Sequence, residues 1–150
     1  MDTHVLTKRV YWIEDELYLL QRTVNKFHRL GADVIELSNA TEVLNNLERI
    51  KESPGPIILD LFLPRGSDPN VPTVKEKRSE VGMWVLSKLR HELDYRWPVF
   101  VLSGNLDVDI VVQLSSTYGL PSERIFFKPL LDSADQFVDE VLKAEGSESG

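Results

Sequence analysis

The 150-residue sequence contains no cysteine. That excludes disulfides, thiolate metal sites and thiol nucleophiles, and it makes a reducing cytoplasm the expected location. Long apolar runs are missing too. None approaches the roughly 20 residues of a membrane span, so no membrane association is expected. The opening residues, MDTHVLTKRV, lack an apolar stretch and a cleavage site, which argues against export. Positive charge is in deficit: 17 Lys and Arg stand against 24 Asp and Glu, and the net charge of −7 disfavours direct nucleic-acid binding. The histidines His4, His28 and His91 fit no metal-ligand spacing and read as surface or packing residues. No internal repeat is present, and the segment WIEDELYLL carries no glycine-rich turn that could wrap a pyrophosphate.

What is present is an ordinary globular composition, 42% hydrophobic, in a chain long enough for one domain with its own core. Short β-like runs alternate five times with helical patterns. The spacing predicts strands over Val10–Ile13, Val34–Leu37, Ile57–Leu63, Val99–Ser103 and Ile125–Phe127. A first helix is expected from Leu17, Leu20, Val24, Phe27 and Leu30, closed by Gly31. Asn39 and Glu42 resemble a capping box opening a second helix through Val43, Leu47 and Ile50, which Pro54, Gly55 and Pro56 stop. Val81, Val85, Leu89 and Leu93 mark a third. Ile110, Val111, Leu114 and Tyr118 mark a fourth, and Ala134, Phe137, Val138, Val141 and Leu142 a fifth. This (βα)5 pattern implies a parallel sheet with helices on both faces. Residues 65–80, RGSDPNVPTVKEKRSE, have no apolar period and are expected to form a mobile inserted loop that shapes docking rather than chemistry. The domain is expected to span 1–146, with a flexible tail at 147–150. Trp12, Trp84 and Trp97 read as core and edge packing.

Asp60 is the anomaly, a carboxylate inside the apolar run PIILDLFLP. Buried without partners it would cost several kcal/mol, roughly, so the rest of the chain must supply company. In an open α/β sheet, ligands bind beyond the carboxyl ends of the strands. At that edge the first strand brings Glu14 and Asp15, the third Asp60, the fourth Ser103 and the fifth Lys128. Clustered carboxylates call for a cation, and their hard oxygens suit Mg²⁺. A carboxylate beside a metal and a lysine can act as a nucleophile toward phosphorus, with the Ser103 hydroxyl donating to a phosphoryl oxygen.

The segments RVYWIEDE, IILDLFLP, PVFVLSG and IFFKPL resemble, in order, the four signatures of response-regulator receiver domains of two-component signalling. The resemblance runs from Val10 to about Lys143, interrupted at 65–80, and implies a flavodoxin-like three-layer fold with strand order 2-1-3-4-5. It implies that Asp60 is the phosphoacceptor, Asp15 a direct Mg²⁺ ligand, and Glu14 an acid acting through metal-bound water. The backbone carbonyl of Phe62 would complete the metal ligands. Ser103 would move onto the phosphoryl group, Lys128 would pair with it, and Lys128–Pro129 would be a cis peptide. The implied partners are a sensor histidine kinase or histidine phosphotransfer protein and a downstream protein target, with a homodimer allowed. The implied chemistry is that of a signalling domain, limited to self-phosphorylation and self-dephosphorylation, not that of an enzyme.

Two departures stand out. A stretch separates Pro64 from Gly82 where the family has a short loop ending in glycine, and Ile125 occupies the place of the family's aromatic switch residue. The second keeps open an interaction module that works without phosphorylation. A haloacid-dehalogenase-type phosphohydrolase needs a second aspartate two positions after the nucleophile; that position is Phe62, which cannot transfer a proton.

Overall fold

The computed structural model describes residues 8–75, 77–93, 97–104 and 106–144. Its strands are β1 (Lys8–Ile13), β2 (Ala32–Leu37), β3 (Ile57–Leu59), β4 (Val99–Ser103) and β5 (Ile125–Phe127). All pair in parallel in the order β2-β1-β3-β4-β5, the expected flavodoxin-like arrangement. The helices are α1 (Gln21–Arg29), α2 (Ala40–Asn45), α3 (Leu47–Glu52), α4 (Glu80–Leu93), α5 (Val108–Ser116) and α6 (Ala134–Lys143). His4, Asn105 and the tail 147–150 lie outside the described residues.

Strand alternation divides the core between two layers. Tyr11, Ile13, Ile57, Leu59, Val99 and Val101 pack with residues of α2 to α5. Val10, Trp12, Ile58, Phe100 and Leu102 pack with Val24 and Phe27 of α1 and Phe137, Val138 and Val141 of α6. Trp12 meets Phe27 and Phe137 at centroid distances of 5.8 and 5.9 Å, so this tryptophan is core, as expected. Trp97 is buried and donates its indole N–H to the Ile50 carbonyl at 3.1 Å, while Trp84 is half-buried against the core; His28 and His91 are exposed.

Two expectations are corrected. The third strand ends at Leu59 rather than Leu63. Phe62 N donates to Asp60 Oδ1 at 3.0 Å, an Asx-type turn that lifts the chain off the ladder. Leu61 and Leu63 stay buried as loop, because Gly82 of α4 closes directly over Leu61. The second helix is two: Asn46 Nδ2 donates to the Glu42 carbonyl at 2.7 Å, and this back-bond accompanies the break between α2 and α3. Its N-cap is as expected, with Asn39 Oδ1 accepting from Glu42 N at 2.9 Å, but the return bond departs from a capping box, since Glu42 Oε1 accepts from Ser38 N rather than from Asn39 N.

The described residues of the 65–80 segment are held at a few points, with Val71 and Ser79 buried and most of the others exposed. Val71 is fully buried in the α2–α5 layer. The Arg65 side chain donates to the Val71 carbonyl through Nε at 3.0 Å and Nη2 at 2.7 Å. Thr41 of α2 ties both ends of the first turn, donating to the Arg65 carbonyl and accepting from Asp68 N, each at 2.9 Å. Downstream, the Glu80 carboxylate accepts from Lys75 N at 2.7 Å and Lys77 N at 3.0 Å. Among the described residues, no helix is long and apolar enough to cross a membrane.

Candidate functional site

The ladder itself places the polar residues, because main-chain pairing continues one residue past the strand ends. Asp60 N donates to the Ile13 carbonyl at 3.0 Å, Glu14 N to Leu37 at 2.9 Å, and Lys128 N to Ser103 at 3.0 Å. The carboxyl ends of β1, β3, β4 and β5 therefore meet at one edge.

Asp60 is 4% exposed, and three donors converge on it. Oδ1 accepts from Ser103 Oγ at 2.6 Å and from Phe62 N; Oδ2 accepts from Lys128 Nζ at 2.8 Å. The same ammonium lies 2.5 Å from Glu14 Oε1, in a buried two-acid, one-base arrangement. Glu14 is fully buried, and Glu16 N donates to its other oxygen at 3.1 Å. Burial pushes the Glu14 carboxyl up, the Lys128 hydrogen bond pulls it down, and the neighbouring Asp60 raises it again, leaving it at about 7. For Lys128, burial opposes the charge, but donation to Asp60 and Glu14 outweighs it, and its pKa is raised.

Asp15 is exposed at the rim, and its carboxylate, with those of Glu14 and Asp60, offers oxygens all within 4.8 Å of one another. Three hard oxygen donors so close, one with a pKa raised by burial, match the donor chemistry of Mg²⁺. An open cleft of about 240 Å³ fronts this group, lined by Asp15, Glu16, Asp60, Phe62, Arg78, Gly104 and Lys128. All six site residues expected from the sequence (Glu14, Asp15, Asp60, Phe62, Ser103 and Lys128) are thus brought together. The Lys128–Pro129 peptide is cis. Ile125 is half-buried against the α2–α5 layer, whereas Phe127, two residues on, is 51% exposed.

Arg78 was not singled out from the sequence. It lies within the mixed-charge run KEKRSE, where no spacing distinguishes it from its neighbours. The fold carries its guanidinium over the Phe62 ring, 5.1 Å from the centroid.

No protein-family model matches the sequence, and no curated protein does. Solved structures do match in fold. A response regulator from Thermotoga maritima is similar with a TM-score of 0.66 at 21% identity, over 93% of this chain and 100% of that one. The signal receiver domain of a putative LuxO repressor protein from Vibrio parahaemolyticus gives 0.61 at 22% identity, over 92% and 95%. A response regulator from Burkholderia pseudomallei, solved with a phosphorylated aspartic acid, a calcium ion and citrate, gives 0.57 at 20% identity, over 91% and 74%. The chain has the flavodoxin-like fold of response-regulator receiver domains.

Proposed function

We propose that the chain is a response-regulator receiver whose Asp60 accepts a phosphoryl group from a sensor histidine kinase or histidine phosphotransfer protein, with Mg²⁺, and relays the signal to a downstream protein. The observation that carries this reading is Asp60 itself. It is a nearly buried carboxylate met by the Ser103 hydroxyl and the Lys128 ammonium, with two more carboxylates beside it and an open cleft in front. The Burkholderia regulator, on the same fold, holds a phosphorylated aspartic acid and a calcium ion, which supports the assignment.

Asp15, Asp60 and the Phe62 carbonyl would hold Mg²⁺, with Glu14 acting through water. Bound there, the metal supplies charge neutralisation at the phosphoryl oxygens. An Asp60 oxygen attacks phosphorus and forms an O–P bond. The P–N bond of a phosphohistidine donor breaks, and its electron pair stays on the imidazole nitrogen. Lys128 stays paired with the site throughout, and the Ser103 hydroxyl turns its donation from Asp60 Oδ1 to a phosphoryl oxygen.

Incubation with acetyl phosphate tests this directly by intact mass. One phosphate should be added with Mg²⁺, none with chelator, and none to Asp60→Asn. Equal labelling of that variant would remove Asp60 from the role. A chain that takes no phosphate but still captures its target would favour the phosphorylation-independent module.

A further inference from the structure

We propose that Arg78, delivered by the inserted 65–79 segment, is a second cationic ligand for the phosphoryl group at Asp60, an inference that rests on the receiver reading above. The argument starts from charge. Transfer of a phosphoryl group onto a carboxylate adds one unit of negative charge to a cleft already fronted by Asp15, Glu16 and Asp60. Lys128 is shared between Glu14 and Asp60 before any phosphoryl group arrives. The other cation lining the cleft, among the described residues, is Arg78.

Its guanidinium is not committed elsewhere. Among the described residues Arg78 makes no ion pair, and its guanidinium carbon lies over the Phe62 ring, 5.1 Å from the centroid. Phe62 and Asp60 line the same cleft, so this cation–π contact holds the guanidinium in the wall of the cleft that the acceptor faces. Planar forked donors match phosphate oxygens.

The backbone carrying Arg78 is anchored on both sides. Lys77 N is held by the Glu80 carboxylate at 3.0 Å, and Lys77 Nζ lies 3.4 Å from Asp107 Oδ2, the N-cap of α5. Ser79 is buried, and its carbonyl accepts from Met83 N at 2.9 Å as α4 begins. An arginine on a pinned turn loses less freedom on engaging a ligand than one on a loose loop. The insertion therefore supplies the phosphoryl site with a group the rest of the sheet edge does not provide.

Calorimetric titration of the whole chain with beryllofluoride, an unreactive phosphoryl mimic, in saturating Mg²⁺ tests this. Arg78→Ala should bind the mimic about tenfold more weakly, the scale of one charge-assisted hydrogen bond. Arg78→Lys should fall between, and Mg²⁺ affinity without the mimic should be unchanged or tighter. Urea unfolding should show unchanged stability, since the residue is exposed. If Arg78→Ala binds the mimic within twofold of wild type while wild type is labelled at Asp60, the inference fails and the receiver reading stands. If mimic and Mg²⁺ affinities drop together, Arg78 acts through the shape of the site and is not a ligand. If wild type takes neither phosphate nor mimic, the reading falls and the inference with it.

Discussion

Asp60 is held inside an apolar run by donors from three directions: its own following turn, β4 and the residue after β5. The anomaly was visible in the sequence because a lone carboxylate among large apolar residues demands partners. Those partners could be named because parallel strands bring their carboxyl ends to one edge. The division of labour between the acids is also residue-specific. Asp15 is exposed and lines the cleft, whereas Glu14 is buried behind Lys128. Asp15→Asn should therefore weaken Mg²⁺ binding more than Glu14→Gln, as measured by calorimetric titration. The reverse order would place Glu14 in the inner coordination shell. Gly82 gives a second prediction. A Cβ there would lie 2.3 Å from both Cα and O of Leu61, and Gly82 N donates to that carbonyl at 3.2 Å. Alanine in a helix gains roughly 1 kcal/mol of propensity over glycine, but overlap with fixed backbone costs more. Gly82→Ala should lower stability by about 2 kcal/mol in urea unfolding, and a stabilised variant would mean that α4 can slide away from Leu61.

At the scale of elements, periodicity located every strand and all the main helices, because each has one face against a core layer. It failed where side chains bond locally to the backbone. The Phe62-to-Asp60 turn ended β3 early, and the Asn46-to-Glu42 bond accompanies the break between α2 and α3. Neither leaves a mark on hydrophobic spacing. The insertion was illegible for a different reason: one valine, Val71, and one arginine, Arg65, organise it through tertiary contacts. Val71→Ala should cost about 2 kcal/mol, the scale of removing most of a buried valine. Replacing 65–79 by a short glycine-containing turn should lower stability further, since it also removes the Thr41 contacts. Asp60, Ser103 and Lys128 lie outside the segment, so intact mass should still show transfer from acetyl phosphate, at the lower level that loss of Arg78 entails. Loss of that transfer with the fold preserved would make the insertion essential to the chemistry.

For the molecule as a whole, the fold is shared with receiver domains while identity stays near 20%. The way a site event reaches the surface can then differ even where the site is alike. Ile125 is branched at Cβ and half-buried, so it offers a smaller two-state change than a swinging aromatic ring. A ligand biases only states that it distinguishes. Beryllofluoride should thus perturb amide exchange strongly around Ser103 and only weakly over the α5, β5 and α6 face. Comparable changes centred on Ile125 would show full coupling without the aromatic. Whether Asp60 carries the phosphoryl group can be read by borohydride reduction of the chain after treatment with acetyl phosphate and Mg²⁺. Reduction converts an aspartyl phosphate to homoserine, which tandem mass spectrometry reads by position. Homoserine at position 60, absent without donor, is the predicted result; homoserine at another aspartate, with Asp60 intact, would contradict it.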